Sequence, residues 1–574
     1  MSVVSLNTGQ STVTIETIHG IGSKLNVTIP ETDAEDYRIL LNGLDATRKQ
    51  IADLPEYIDP RLAPDAGTIP RTWWKAEHNA LGGWSHRCDV THPSPTHERL
   101  KGRTLAFKDN VSVAGLPITG GTFPELLNGK PEYPISKIDA VVVSRVLQSG
   151  GTVYGTATCE HFSMSPISFT SANGTVHNPW LKGYTTGGSS SGSACLVAIN
   201  QVKAWRKRHG LSSIDDELGE GVDMAVGGDQ GGSIRLPAAF TGIYGLKPTH
   251  GLVAYSGILS LHPMIDHAGP MASSLTDLTT LLGVLAGYDG LDPRMTPETP
   301  LRSNVPDYTK DLSTWIAAKQ ASGEWTTTAA GKGLRIGVLK EAFAMPGLTE
   351  VVRATVYDAI ERFRSAGAAV TEVSIPLHSA GPSIWTIATR CGIGTYGLQN
   401  QPQALLNYPM PDISPPPLSD ASLATLTKHN PAVSNMLING EFLASHPQGG
   451  PALTAKAMTH VSQLRAAYDE ALKDVDVLVT PLTPRVAMKH PELDMSVREK
   501  MTPAIGLSLN TCPFNCTGHP GLSMPIGWGD AEDGEGKLPI AMQLVGRRFG
   551  EAGIFNAAAA WEVGGLGLDS WNGK

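Results

Sequence analysis

Apolar residues recur along this chain at two different periods. Between residues 32 and 54, Tyr37, Leu40, Leu41, Leu44 and Ile51 share one face of a 3.6-residue repeat. Thr32 and Glu35 have the letters of a capping box ahead of them, so an amphipathic helix is expected there. A Pro-rich stretch, 54–70, follows. Residues 1–85 therefore read as a mostly helical N-terminal extension packed on a main body.

Beyond it, strand and helix patterns alternate. The run TLAFKDNVSV (104–113) predicts a strand, KIDAVVVSRVLQSG (137–150) a helix stopped by Gly150, and GTVYGTATC (151–159) a second strand. The order repeats later. Arg335–Lys340 reads as a strand, Val352, Val356, Ala359, Ile360 and Phe363 line one helix face ending at Gly367, and 368–376 returns as a strand. Two βαβ units predict an α/β fold whose large mixed, twisted sheet is covered on both faces by helices. A body spanning 86–560 is expected, with lid-like segments at about 287–333 and 379–455 and a C-terminal tail at 561–574. The Pro-rich run 408–420 suits neither helix nor strand.

Composition adds bounds. With 574 residues, 41% hydrophobic and 17% charged, the chain can bury a large core. A net charge of −9 gives no pull towards nucleic acid or an anionic membrane, and the short basic run 203–209 reads as a solvated face. The start has no basic segment followed by an apolar one, so no signal peptide is expected. No apolar run approaches the roughly 18 residues that a membrane span needs. Six scattered cysteines suit reduced thiols in a cytoplasmic protein, and Cys512 with Cys516 lacks a second Cys/His pair to complete a metal site.

Three pieces could carry chemistry. Lys108 and Asp109 interrupt the apolar strand LAFKDN. Gly187–Ser193 (GGSSSGS) precedes the apolar Ala194–Ile199. Gly227–Arg235 (GGDQGGSIR) follows the short strand VDMAV. Taken singly, a surface lysine, a flexible linker and a tight turn would explain them. Linkers, however, are rarely wedged between core-forming segments, and buried glycine turns imply close approach of backbone to something. The Gly/Ser run does not match a phosphate-binding loop.

Together these pieces resemble the amidase signature family. GGSSSGSA followed by GGDQGGSIRLPAAFTGIYGLKPT carries the likeness, and FKDN matches the family's lysine strand. NPW (178–180), IDHAGPM (265–271), DVDVLVTP (474–481), NCTGHPGLSMPIG (515–527) and AMQLVGRRF (541–549) resemble further blocks. The resemblance implies an amide hydrolase without metal or cofactor. Its triad would be Lys108, Ser189 on an unusual cis peptide, and the nucleophile Ser233. The oxyanion hole would comprise the backbone N–H groups of Gln230, Gly231, Gly232 and Ser233, with Gly188, Ser190, Asp229 and Arg235 in support. The substrate would be a small-molecule amide, a carbamate or ester suiting the same chemistry. The loop 159–165 is expected in the pocket wall, and similar enzymes are commonly homodimers.

A serine hydroxyl needs a base to take its proton, and lysine serves only when neutral. Burial must therefore bring its pKa down from about 10.4 towards neutrality. His161, His267 and His519 lie within the family-like blocks and are expected to be structural; no nucleophile elbow suggests a Ser-His-Asp triad. Two features depart from the common pattern. Gly-Asp-Gln stands where many members have Gly-Thr-Asp, as in acyl amidases of nitrile-metabolising pathways. Ser189 and Ser233 are also unusually far apart, which predicts a surface excursion at 201–221. The alternatives are the glutaminase component of a tRNA-dependent amidotransferase and an inactive binding protein on the same scaffold.

Overall fold

The computed structural model describes residues 13–64, 71–398, 410, 412–563 and 567–570. The chain divides into two units, Met1–Pro60 and Arg61–Lys574. The first contains helices Ile15–Lys24 and Glu31–Ala52. The expected capping box does not form. The second helix starts from Pro30, which places Thr32 inside its first turn; the Thr32 hydroxyl donates to Asp33 and Glu35 pairs with Arg38. Tyr37, Leu40, Leu44 and Ile51 are exposed, so the apolar face read from the sequence is not a buried one.

The second unit is built on one sheet of twelve strands: β1 (Trp73–Trp74), β2 (Trp84–Val90), β3 (Thr104–Lys108), β4 (Thr152–Ala157), β5 (Met224–Asp229), β6 (Tyr244–Lys247), β7 (His267–Ala272), β8 (Arg335–Leu339), β9 (Ala369–Val373), β10 (Val477–Pro481), β11 (Gly521–Asp530) and β12 (Lys537–Val545). Their order is β1-β2-β4-β3-β5-β7-β6-β11-β12-β10-β8-β9. The pairs β3–β4, β3–β5, β8–β9 and β8–β10 are parallel and the rest antiparallel, so the sheet is mixed as expected. Every residue of β5, β7 and β10 is buried, as strands covered on both faces require, whereas the edge strands β1 and β9 are largely exposed.

Both predicted βαβ units are present, with crossover helices Val141–Gln148 and Glu350–Ser365. The first is shorter than its sequence pattern suggests. Asp139 accepts from Ala114 N and from Arg71, which holds 137–140 in a loop. The second buries Val352, Val356, Ala359, Ile360 and Phe363, the face read from the sequence.

The excursion at 201–221 is in part regular. The helix Ser191–Arg208 continues through its first eight residues because Val202 and Trp205 extend the buried face. The segment 287–333 contains the helix Tyr308–Ala321 and anchors itself through Asp292, which accepts from Tyr255 N at 2.7 Å. The described part of 379–455 is mostly helical, with Gly381–Gly392, Asp420–His429 and Pro431–Ser445; its residues 399–409 and 411 lie outside the described residues, as does part of 561–574. All six cysteines are unpaired. Among the described residues no helix is long and apolar enough to cross a membrane.

Candidate active site

The parallel strands β4, β3 and β5 lie side by side and end at Ala157, Lys108 and Asp229. Open α/β sheets gather their ligand sites along the carboxyl edges of such strands. Lys108 ends an apolar strand in register with Ala157 and is fully buried. Its Nζ donates to Ser189 Oγ at 2.8 Å and to the Gly228 carbonyl at 3.4 Å. Burial lowers the amine to about 8, although Cys159, Asp229, Glu160 and Asp266 oppose the shift.

Ser189 follows a cis peptide from Gly188 and precedes the helix Ser191–Arg208. The sequence sets this helix hard against the sheet. A Cβ on Gly192 would lie 2.4 Å from the Gly83 carbonyl and 2.5 Å from Thr158 N, so only glycine allows the approach. Ser190 ties the two serine loops together: its N–H donates to the Ser233 carbonyl at 3.2 Å, and its hydroxyl donates to the Gly228 carbonyl at 3.1 Å.

By its letters, Gly188–Gly192 does match the G-x-S-x-G elbow pattern, against the expectation that the chain has no such elbow. Its central residue, Ser190, is nevertheless fully buried and occupied with Gly228, not presented to a histidine. The expected structural histidines sit apart from the serines. His161 meets Thr122, His267 meets the Ile265 carbonyl, and His519 lies between Thr517 and Asp469.

The loop 229–235 is shaped by one carboxylate. Asp229 accepts from Gly232 N at 2.7 Å, Ile234 N at 3.1 Å, Asn515 at 2.9 Å and Arg235 through Nε and Nη2 at 3.0 Å each. Burial alone would raise its pKa; the Arg235 guanidinium and these hydrogen bonds hold it well below the usual carboxylate range. Arg235 donates onward to the Thr511 carbonyl, Gln543 and Asn515. Gly232 sits at φ +141°, where side chains are disfavoured, and a Cβ there would meet Thr511 Oγ1 at 2.6 Å.

Carbonyls in this loop are anchored from outside. Asp229 O accepts from Asn515, Gln230 O from the Trp385 indole at 3.0 Å, Gly231 O from Thr511 Oγ1 at 2.5 Å and Gly232 O from Leu236 N at 2.7 Å. In a trans peptide the N–H points opposite to its carbonyl. The Trp385 and Leu236 contacts therefore fix the directions of the Gly231 and Ser233 amides. Gly232's amide, expected among the oxyanion donors, is instead taken by Asp229. Ser233 is partly exposed while Lys108 and Ser189 are buried. Among the described residues the hydrogen-bonded chain from Lys108 reaches Ser189 and stops short of the Ser233 hydroxyl.

Glu160 does not stand out in the sequence, yet it supports the site. Its N–H donates to the Ser189 carbonyl at 3.4 Å, and its carboxyl accepts from Ser191 Oγ at 2.7 Å and from Thr170. Burial pushes that carboxyl up to about 7. Asn515 and Gln543 lie within family-like blocks that give them no particular part; Trp385 and Thr511 lie within none. Two residues past Glu160, Phe162 lines a cavity of about 300 Å³ with Leu126, Leu398, Leu426, Val433 and Leu437.

Comparison with known proteins agrees with this architecture. A family model described as Amidase matches residues 86–204 and 219–555. The unmatched gap falls in the expected excursion. An enantioselective amidase of Rhodococcus rhodochrous is 34% identical over 88% of each chain. The amidase-like component of the glutamyl-tRNA(Gln) amidotransferase of Microcystis aeruginosa is 31% identical, covering 81% of this chain and 83% of that one. Among solved structures, the native peptide amidase of Stenotrophomonas maltophilia superposes with a TM-score of 0.57 at 27% identity, covering 81% of this chain and 83% of the other.

Proposed function

We propose a mechanism from one premise: the chain belongs to the amidase signature family and is an amide-hydrolysing enzyme. Ser233 is the nucleophile, Ser189 the proton relay and Lys108 the base. Ser233 Oγ bonds to the amide carbon while its proton passes to Ser189, whose own proton passes to neutral Lys108. The carbonyl electron pair moves to oxygen, where the Gly231 and Ser233 amides, together with Gln230's, receive it. When the C–N bond breaks, the proton returns through Ser189 to the leaving nitrogen. Water then cleaves the acyl-enzyme by the same relay. The observation that carries this reading is the 2.8 Å contact between a fully buried lysine amine and Ser189 Oγ. Hydrogen bonds to a nucleophile are often completed only when substrate is bound, which suits the open link between Ser189 and Ser233.

The apolar cavity beside Phe162 supports a neutral substrate with an aliphatic or aromatic substituent. A carbamate or ester carbonyl would suit the same chemistry. The amidotransferase relatives keep a second reading in view, a glutaminase that works with partner proteins.

Two measurements test the mechanism. A fluorophosphonate should label the wild-type chain once, and peptide mapping should place the adduct on Ser233; an adduct elsewhere, or none, rejects the nucleophile and favours an inactive binding protein. Ammonia released from a simple aliphatic amide by the isolated chain would count against the amidotransferase reading. The pH dependence is a further expectation. Below about 8, Lys108 holds its proton and cannot act as base, so kcat/KM should rise about tenfold per pH unit and level off above that value. A flat profile between pH 6 and 9 would reject Lys108 as the base.

A further inference from the structure

We infer that Trp385 is a positioning residue for the oxyanion hole, an inference that rests on the mechanism above. Trp385 belongs to the helix Gly381–Gly392, outside every motif block of the chain, yet its indole Nε1 donates to the Gln230 carbonyl at 3.0 Å. That carbonyl and the Gly231 N–H are opposite ends of one peptide plane, so a donor on the first aims the second. The ring also lies over the peptide. A Cβ on Gly231 would stand 3.4 Å from Trp385 Cζ2 and 3.8 Å from Cε2.

The plane needs such a constraint. Glycines stand at 227, 228, 231 and 232, and glycine imposes little torsional barrier of its own. If the Gln230–Gly231 peptide turned over, a carbonyl oxygen would face the site where an oxyanion must form. Gln230 is held on its other side as well, its Nε2 donating to Tyr255 Oη at 2.7 Å and to Asp266 at 3.4 Å. The tryptophan supplies the remaining restraint. Its own helix is fixed close by, since a Cβ on Gly381 would touch Pro513 at 2.7 Å, next to Thr511 and Asn515, which hold the same loop. A segment without motif residues thus sets the direction of a catalytic amide.

The test separates the indole N–H from the bulk of the ring. Trp385→Phe keeps an aromatic ring and removes the donor; Trp385→His keeps a ring nitrogen at the equivalent place. For a neutral aliphatic amide, the Phe variant should lose about 10- to 100-fold in kcat with KM within about twofold, somewhat less than deleting an oxyanion donor outright. An aliphatic boronic acid, which forms a tetrahedral adduct on serine, should lose affinity by a similar factor. The His variant should recover a substantial part of both losses. Wild-type kcat in the Phe variant, equal losses in both variants, or a raised KM at unchanged kcat would overturn the inference. Should the Phe variant fail to fold, the His variant still decides: kcat and boronate affinity must fall together or the idea fails. Fluorophosphonate mapping of the wild type keeps the two levels apart, since labelled Ser233 with an unaffected Phe variant sinks only the role of Trp385.

Discussion

Lys108→Ala should abolish amide turnover, lowering kcat/KM by at least about 10⁴-fold while the chain still folds. Among the described residues, the amine of Lys108 is the base hydrogen-bonded to Ser189. Alanine removes the proton acceptor and leaves the relay hydroxyl with nowhere to pass its proton. The fold should survive, because the lost amine bonds to Ser189 and to one carbonyl, Gly228, and not to a charged partner. Circular dichroism and the thermal midpoint check that point. Ser189→Ala should also cut turnover severely. Combining the two should add little, since members of one proton relay act as a unit and their losses do not sum. Near-native kinetics in Lys108→Ala would end the proposed mechanism.

The second large effect is expected on stability. Arg235→Met removes the partner of a fully buried carboxylate, and breaking a buried pair from one side typically costs about 3 to 5 kcal/mol. It also strips donors from the Thr511 carbonyl, Gln543 and Asn515. Urea denaturation followed by fluorescence should show a markedly lower midpoint, and turnover should fall with it, because Asp229 shapes the loop that carries Ser233. The pH dependence changes sign. In the native chain the Asp229 pKa is depressed, so its contribution is present above the ordinary carboxylate range and is lost as acid protonates it. Without Arg235, burial dominates and raises that pKa. The folded variant then binds a proton more readily than the unfolded chain, and its deficit should ease as pH falls towards the ordinary carboxylate range. A midpoint within experimental error of wild type would show that the pair contributes nothing net.

Much of the site is legible in the residues because its chemistry is local. A lysine inside an apolar strand and glycine loops bounded by core-forming segments are features of short windows, and they point to Lys108, Ser189 and Ser233 directly. The two βαβ units are equally plain, since their periodicities lie within about 40 residues each. The failures are also physical. The N-terminal helix carries an apolar stripe, but periodicity reports amphipathicity, not what covers the face. The capping box at Thr32 fails because Pro30 begins the helix earlier. The excursion after Ile199 is narrower than its letters suggest, because its first half looks polar while Val202 and Trp205 still face the core.

Sequence by itself thus determined the fold class, the family and the three polar groups of the site, since each depends on residues close together in the chain. Tertiary structure alone decided how those groups are held. Arg235 meets Thr511 and Gln543 from 276 and 308 residues away, and Trp385 reaches Gln230 across 155. No local pattern encodes such contacts. They arise when strands distant in sequence are brought side by side and their loops share one buried space, where each peptide group must find a partner or pay for its lost water.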